Sequence, residues 1–517
     1  MGKRFVTSLC FAIVLSILPQ HIVNATATAS HQKTCAAVNY SQGWVSRENA
    51  RTGTPGWDTP VKHEKKGNVS GWFDQTSVAC GDTVGLHLSG NGRPVKIQIF
   101  RMGYYGGAKA RLIFSENLKS VPKASAPIIA QNITHLTTTN WPTSAKIQID
   151  SNFPSGIYMA RFDDGGTAGY SPLIVRNDSS TSALLMIAAT LTWQAYNTWG
   201  GWSLYHGPNP KIFSPGRLVS FNRPYDRIGM SDFTVNDAGI VQTAEARGLD
   251  IAYTDDVYLD SHPETLLAHR AIIYDGHPEY WTSAMREAAF KARDAGINLL
   301  FLGANSAYWK VRIESSGRTV VSWKGDASDP YANDPALITN KWGADPTPLN
   351  ESELLGALMA GFGVMANYEV KDASSWPFAG SGLHTGDLIL GVVGKEVETT
   401  DIGAAPAVQT FLTSRVTILG IEYNINFTYY TTPSHSGVID VGTNGWTCSI
   451  TNTCSWKTST TPKSRAEVAA ITGQLLSTAA MGPLGLEHPA LTNIPARNKL
   501  QEICSAVCPK EVQQENN

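Results

Sequence analysis

Residues 270–309 read RAIIYDGHPEYWTSAMREAAFKARDAGINLLFLGANSAYW, and the order of patterns within them decides the fold. "RAIIYD" and "INLLFLG" are short continuous apolar runs, the mark of strands buried on both faces. Between them, "TSAMREAAFKARDAG" has a helical pattern, with Thr282 placed to cap its start and Gly296 to take the left-handed position past its end. A strand–helix–strand unit implies two parallel neighbours, and other segments repeat the pattern. "ALLMIAA" and "LDIAYTD" read as further buried strands, and "NDAGIVQTAEARG" reads as a helix with Asn236 as its cap and Gly248 just beyond it. The expected fold class for this half is an open, mostly parallel α/β sheet with helices on both faces, of glutamine-amidotransferase or flavodoxin type.

Upstream the pattern differs. "DTVGLHLSG", "VKIQIFRMGYYGG", "AKIQID" and "SGIYMARFDDGG" alternate apolar and polar residues between Gly, Asn and Pro turns. That is the pattern of an antiparallel β-sandwich of immunoglobulin-like type. The expected division is a signal peptide over 1–29, the sandwich over 30–180, the α/β domain over 181–500 and a flexible tail over 501–517. Beyond residue 310, "NESELLGALMAGFG" reads as a helix, "VTILGIEYNINFTYY" and "SGVIDVGTNGW" as strands, and "KSRAEVAAITGQLLSTAAMG" as a helix.

The first thirty residues carry Lys3 and Arg4, an apolar core from Leu9 to Leu18 and small-residue cleavage sites at Ala25–Ala29. They predict secretion, outside the cell or into a periplasm, with no membrane span once the signal is removed. Cys10 leaves with the signal, and six cysteines remain, an even number that favours disulfides on a secretory route. Cys35/Cys80, Cys448/Cys454 and Cys504/Cys508 are one natural pairing among fifteen. Sequons at Asn39, Asn68, Asn132, Asn177, Asn350 and Asn426 would accept glycans in a eukaryotic host. The 517-residue chain has 43 acidic and 41 basic residues, and only 16% of its residues are charged. With no long basic run, nucleic acid is excluded as the main partner.

Ligands of parallel sheets collect outside the carboxyl ends of the strands. There the sequence places "TLTWQAYNTWGGWSLY", "TDD", "GHPEYW" and "ANSAYW". If the strands of the 270–309 unit are neighbours, His277, Glu279 and Asn305 face one crevice. Each also has a plainer reading. Glu279 can serve a helix dipole, His277 can bond its own turn, and Asn305 can cap a helix. No GxSxG, GxGxxG, P-loop or HExxH occurs, so ordinary α/β-hydrolase, nicotinamide, nucleotide and zincin chemistries lack support. What remains is a metal-activated water or a carboxylate base. Carboxylate and phenol oxygens suit a hard cation such as Fe(III).

"YDGHPEYW" and "LLFLGANSAYW", with "TWQAYNTWGGWSLY", "FAGSGLHTGDLILGVVGKEVE", "GVIDVGTNGW", "WFDQTSVACGDTVGLHLSG", "IFRMGYYGG" and "PSGIYMARF", resemble the large (β) subunit of N,N-dimethylformamidase, from about residue 70 to 490. The resemblance implies a mononuclear iron (Fe3+) site held by two tyrosine phenolates and a glutamate, acting on the C–N bond of a small-molecule amide. It implies Glu279 as the carboxylate ligand, Tyr196 and Tyr158 as the phenolates with Tyr225 and Tyr280 as alternatives, and His277 and Asn305 as catalytic residues lining the site. The family's additional acidic residue near "YYTTP" falls at Thr431, with Glu422 as a substitute. An oligomer is compatible with the sequence. Two other classes fit the same residues. One is a secreted binding or structural protein that keeps the scaffold. The other is a metal-free carboxylate hydrolase with Asp255 or Asp256 opposite Glu279.

Overall fold

The computed structural model describes residues 35, 38–58, 69–166, 168–209, 212–226, 229, 232–344, 346, 348–400 and 408–491. The expected signal peptide, the Asn68 sequon, Cys504/Cys508 and the tail lie outside them. The fold is mixed α/β, with several sheets and a small closed barrel.

The N-terminal strands form two sheets. Ser70–Phe73, Thr83–Ser89 and Thr143–Gln148 make an antiparallel three-stranded sheet. Ser77–Ala79, Ala168–Arg176, Gly156–Asp163, Val95–Met102 and Ala110–Leu118 make the second, antiparallel except where Ser77–Ala79 joins Ala168–Arg176 in parallel. Alternate side chains of both sheets meet in one core containing Val84, Leu86, Ile97, Ile99, Tyr158, Ala160 and Phe162. The opposite face of the second sheet is also covered. Phe100, Met102, Ile157 and Met159 join the core of the α/β half. Arg101 crosses that boundary to a fully buried ion pair with Glu245, 2.7 Å away.

In the α/β half, Ile251–Asp255, Leu184–Ala188, Ala271–Gly276, Asn298–Gly303 and Gly437–Asp440 lie side by side in that order, all parallel. Their apolar runs divide by parity. Leu184, Met186, Ile273, Leu300 and Leu302 face helices Ala238–Ala246 and Pro462–Ala479, while Leu185, Ile187, Ile272, Leu299 and Phe301 face helix Ser283–Asp294. Thr282 caps that last helix by accepting from Met285 N, and Gly296 follows it at φ 90°. The chain leaves the Leu184 strand for a partner on one side and the Ala271 strand for a partner on the other, so their carboxyl ends form the switch point where such sheets bind ligands.

Two local expectations are corrected. Asn236 is no cap. It lies inside a π-helical turn, Phe233–Asp237, that runs directly into the helix. "NESELLGALMAGFG" is helical only over Ser352–Leu355. Gly356 at φ 79° ends the turn, and Ala357–Val370 continues as a strand. That strand, Leu388–Thr400, Ile421–Thr431 and Gln409–Ile418 pair in a closed ring, the barrel, attached to the parallel sheet through Gly437–Asp440. Pairing across the ring satisfies the backbone and overrides the helical apolar spacing. Disulfides join Cys35 to Cys80 and Cys448 to Cys454. Asn426 is buried in the barrel, bonded through its side chain to Thr400 and Thr413, so the folded chain offers no glycan acceptor there.

Candidate metal and amide site

The site is built on the two strand ends of the 270–309 unit. Gly276 ends one strand at φ 65° and Gly303 ends its neighbour; a Cβ on Gly303 would fall 1.8 Å from Gly276 O. This close approach brings the two outgoing turns together, and they zip. Ala307 N donates to Pro278 O at 2.9 Å, while Tyr308 N and Trp309 N donate to Glu279 O at 3.0 and 2.9 Å. Tyr280–Trp281 then pairs in parallel with Trp309–Lys310. Glu279 N donates to Thr192 Oγ1 at 3.1 Å, tying the turn to helix Thr190–Tyr196, which follows the Leu184 strand.

Glu279 is the centre. Tyr196 Oη donates to Glu279 Oε2 at 2.8 Å, Tyr205 Oη donates to Glu279 Oε1, and Trp309 Nε1 donates to Oε1 at 2.9 Å. The two tyrosine rings stack, with centroids 4.5 Å apart. Desolvation, reinforced by the Glu279 charge, pushes both phenols well above their ordinary range.

Beside this cluster, His277 Nε2 lies 3.4 Å from Glu279 Oε2 and 2.7 Å from Glu396 Oε2. Asn305 Nδ2 donates to the same Glu396 oxygen at 2.9 Å. Burial alone would raise Glu396, but His277, Lys395 and Asn305 hold it down to about 2, a carboxylate at neutral pH. Asn305 adopts φ 58°. Its amide oxygen is buried without a hydrogen-bond partner among the described residues. The turn beneath rests on Glu398, whose Oε1 accepts from Ser306 N at 3.0 Å. Glu398 faces Asp440, and burial with that like charge drives Glu398 up, so the pair holds a proton. Lys324 stands over the Tyr205 ring at 3.4 Å and over Trp309 at 4.7 Å. Desolvation lowers its ammonium to about 7 against the pull of Glu279.

The sequence candidates therefore divide. Glu279, Tyr196, His277 and Asn305 converge. Tyr158 does not join them. Successive strand residues face opposite sides, and the parity that sends Ile157 and Met159 toward the α/β half sends Tyr158 into the sandwich core, where its hydroxyl donates to Pro154 O at 2.5 Å. The second phenol on Glu279 is Tyr205. Tyr280 is buried with its ring edge-on to Tyr205, and Tyr225 sits near Asp232 and Arg318 instead. Asp255 and Asp256 are engaged by Ser77, Thr190, Leu191 N and Tyr258 N. Glu422 is exposed at the barrel's hairpin. The second carboxylate is Glu396, which arrives from the barrel strand Leu388–Thr400. Its signal in the sequence is "KEVE", where Glu396 and Glu398 share one face of the strand after the apolar run "LILGVVG".

A carboxylate gripped by two phenols lies at the switch point of a parallel sheet in a mixed α/β fold, with a histidine and a second carboxylate alongside. The chain belongs to the N,N-dimethylformamidase beta subunit-like family, whose C-terminal region matches residues 96–457. No curated protein matches it. Among the described residues no helix is long and apolar enough to cross a membrane.

Proposed function

We propose that the protein is an amidohydrolase that holds a single iron(III) ion between Glu279, Tyr196 and Tyr205 and cleaves the C–N bond of an amide. The observation that carries this reading is the grip of two phenols on the two oxygens of one carboxylate. The donor set fits the ion: three side chains with hard oxygens converge, and the two phenols gain by losing their protons to a cation. When bound, iron(III) would supply a Lewis acid for the amide carbonyl and a water of lowered pKa.

The chain's own groups take the remaining roles. Asn305 Nδ2 is committed to Glu396, which leaves Oδ1 to accept the substrate N–H and orient the amide. His277, between two carboxylates, is placed to hand a proton to the leaving amine, with Glu396 steadying its charge. Release of amine from N-substituted amides tests these roles. His277→Ala and Glu396→Gln are expected to lower the rate by about a hundredfold or more, and unchanged rates in both would remove the proton relay. We infer action outside the cytoplasm from the two disulfides. We infer an immunoglobulin-like sandwich and a flavodoxin-like α/β sheet from the shared sandwich core and the parallel strand order.

A further inference from the structure

The fold sets one of the sequons apart. Asn132 sits in the exposed turn between Ile128–Ile129 and Thr137–Thr138, with Ile133 and Thr134 completing the triplet. Thr134 N and Thr134 Oγ1 both donate to Asn132 Oδ1, at 3.0 and 2.5 Å. A backbone N–H needs an acceptor, so the first bond identifies the amide oxygen. Asn132 Nδ2 is left with no hydrogen-bond partner among the described residues. The turn is held from behind: Arg217 N donates to Thr134 O at 2.9 Å, and the His135 ring stacks on Trp202 with centroids 3.6 Å apart. The other described sequons differ. Asn39 accepts from Ser41 N and Asn177 from Ser179 Oγ, each one bond of the two. Asn350 is packed against Gly343, and its carbonyl accepts from Arg286 Nη2 at 2.9 Å. Asn426 is buried, and its Nδ2 is committed to Thr400 at 2.7 Å.

The same corner of the molecule exposes apolar surface. Ile128 and Ile133 of the hairpin are 48% and 51% exposed. Ile212 and Phe213 are 56% and 62% exposed, on the loop that reaches the hairpin through the bond from Arg217 N to Thr134 O. Large apolar side chains gathered at one corner invite association unless something bulky covers them. A glycan is bulky and solubilising.

We propose that Asn132 carries an N-linked oligosaccharide when the chain passes through a eukaryotic secretory route, and that this glycan shields the apolar corner. The donor is an oligosaccharide joined to a polyprenyl diphosphate. A bond forms between Asn132 Nδ2 and the anomeric carbon as the bond from that carbon to the diphosphate oxygen breaks. Nδ2 gives up one proton, and the lipid diphosphate leaves with the electron pair. The folded turn accommodates the product because Nδ2 has no bond to lose and the asparagine is exposed.

The full chain, with its own first residues, is produced in a eukaryotic secretory host, released from its glycans by a peptide N-glycosidase and mapped by mass spectrometry. The expected result is conversion of Asn132 to aspartate by the enzyme, with Asn426 unconverted in the same sample. Asn132→Gln and Thr134→Ala are each expected to lose one glycan, and Thr134→Ser to keep it. An unconverted Asn132 in the folded wild type would overturn the proposal, as would a chain without glycan at any sequon. The shielding is read on the native proteins with an apolar fluorescent dye. Asn132→Gln is expected to bind more dye than wild type, and adding Ile133→Ser to that variant is expected to reverse the rise. Equal dye binding by wild type and Asn132→Gln would overturn the shielding role.

Discussion

Tyr158 and Tyr205 are both tyrosines within reach of a sequence argument, yet only Tyr205 touches Glu279. Strand parity turns Tyr158 into the sandwich core, whereas Tyr205 lies in the loop beyond helix Thr190–Tyr196, and substitution separates them. Tyr205→Phe is expected to weaken iron binding by at least about tenfold with little loss of fold. Tyr158→Phe is expected to cost about 1 kcal/mol of stability and leave iron binding unchanged; metal titration and thermal melts of both variants check this. Asp440 offers a test by pH. Burial raises it to about 7, so the folded chain keeps a proton that the unfolded chain releases near pH ~4. Wild-type stability therefore falls as pH rises through that window. Asp440→Asn has no such proton to lose and can donate to Glu398 in its place. Its stability relative to wild type is expected to improve by about 1–3 kcal/mol between pH 4.5 and 7.5, read from denaturant melts.

At the scale of elements, the parallel strands were legible because burial on both faces forces continuous apolar runs, and the Ser283–Asp294 helix because its cap and stop residues are local. Thr282→Ala is expected to lower stability by about 1 kcal/mol, measured by denaturant unfolding. The barrel was hidden for the opposite reason. "NESELLGALMAGFG" carries helical apolar spacing, and pairing with distant strands makes it extended from Ala357 onward. Glu396 was hidden with it, since nothing local says that "KEVE" will meet "GHPE". His277, Glu279 and Asn305 were legible together because one strand–helix–strand unit brings both of their turns to the same edge.

The whole molecule holds the sandwich against the sheet through an apolar face and one buried charge pair. Arg101 and Glu245 are fully buried, and Tyr253 also donates to Glu245 at 2.8 Å. Arg101→Met strands that carboxylate and is expected to cost about 3–5 kcal/mol, seen as a lowered melting temperature with the disulfides intact. The site draws Tyr196 and Tyr205 from beyond the Leu184 strand, Glu279 from beyond the Ala271 strand and Glu396 from the barrel, so its function rests on the complete fold. The most direct measurement is iron content together with the visible spectrum of protein purified from its native host. A single iron per chain with a tyrosinate-to-iron absorption band, both lost in Glu279→Ala, is the predicted result. A colourless, iron-free protein, or a Glu279→Ala variant that keeps its iron and its band, would contradict the account.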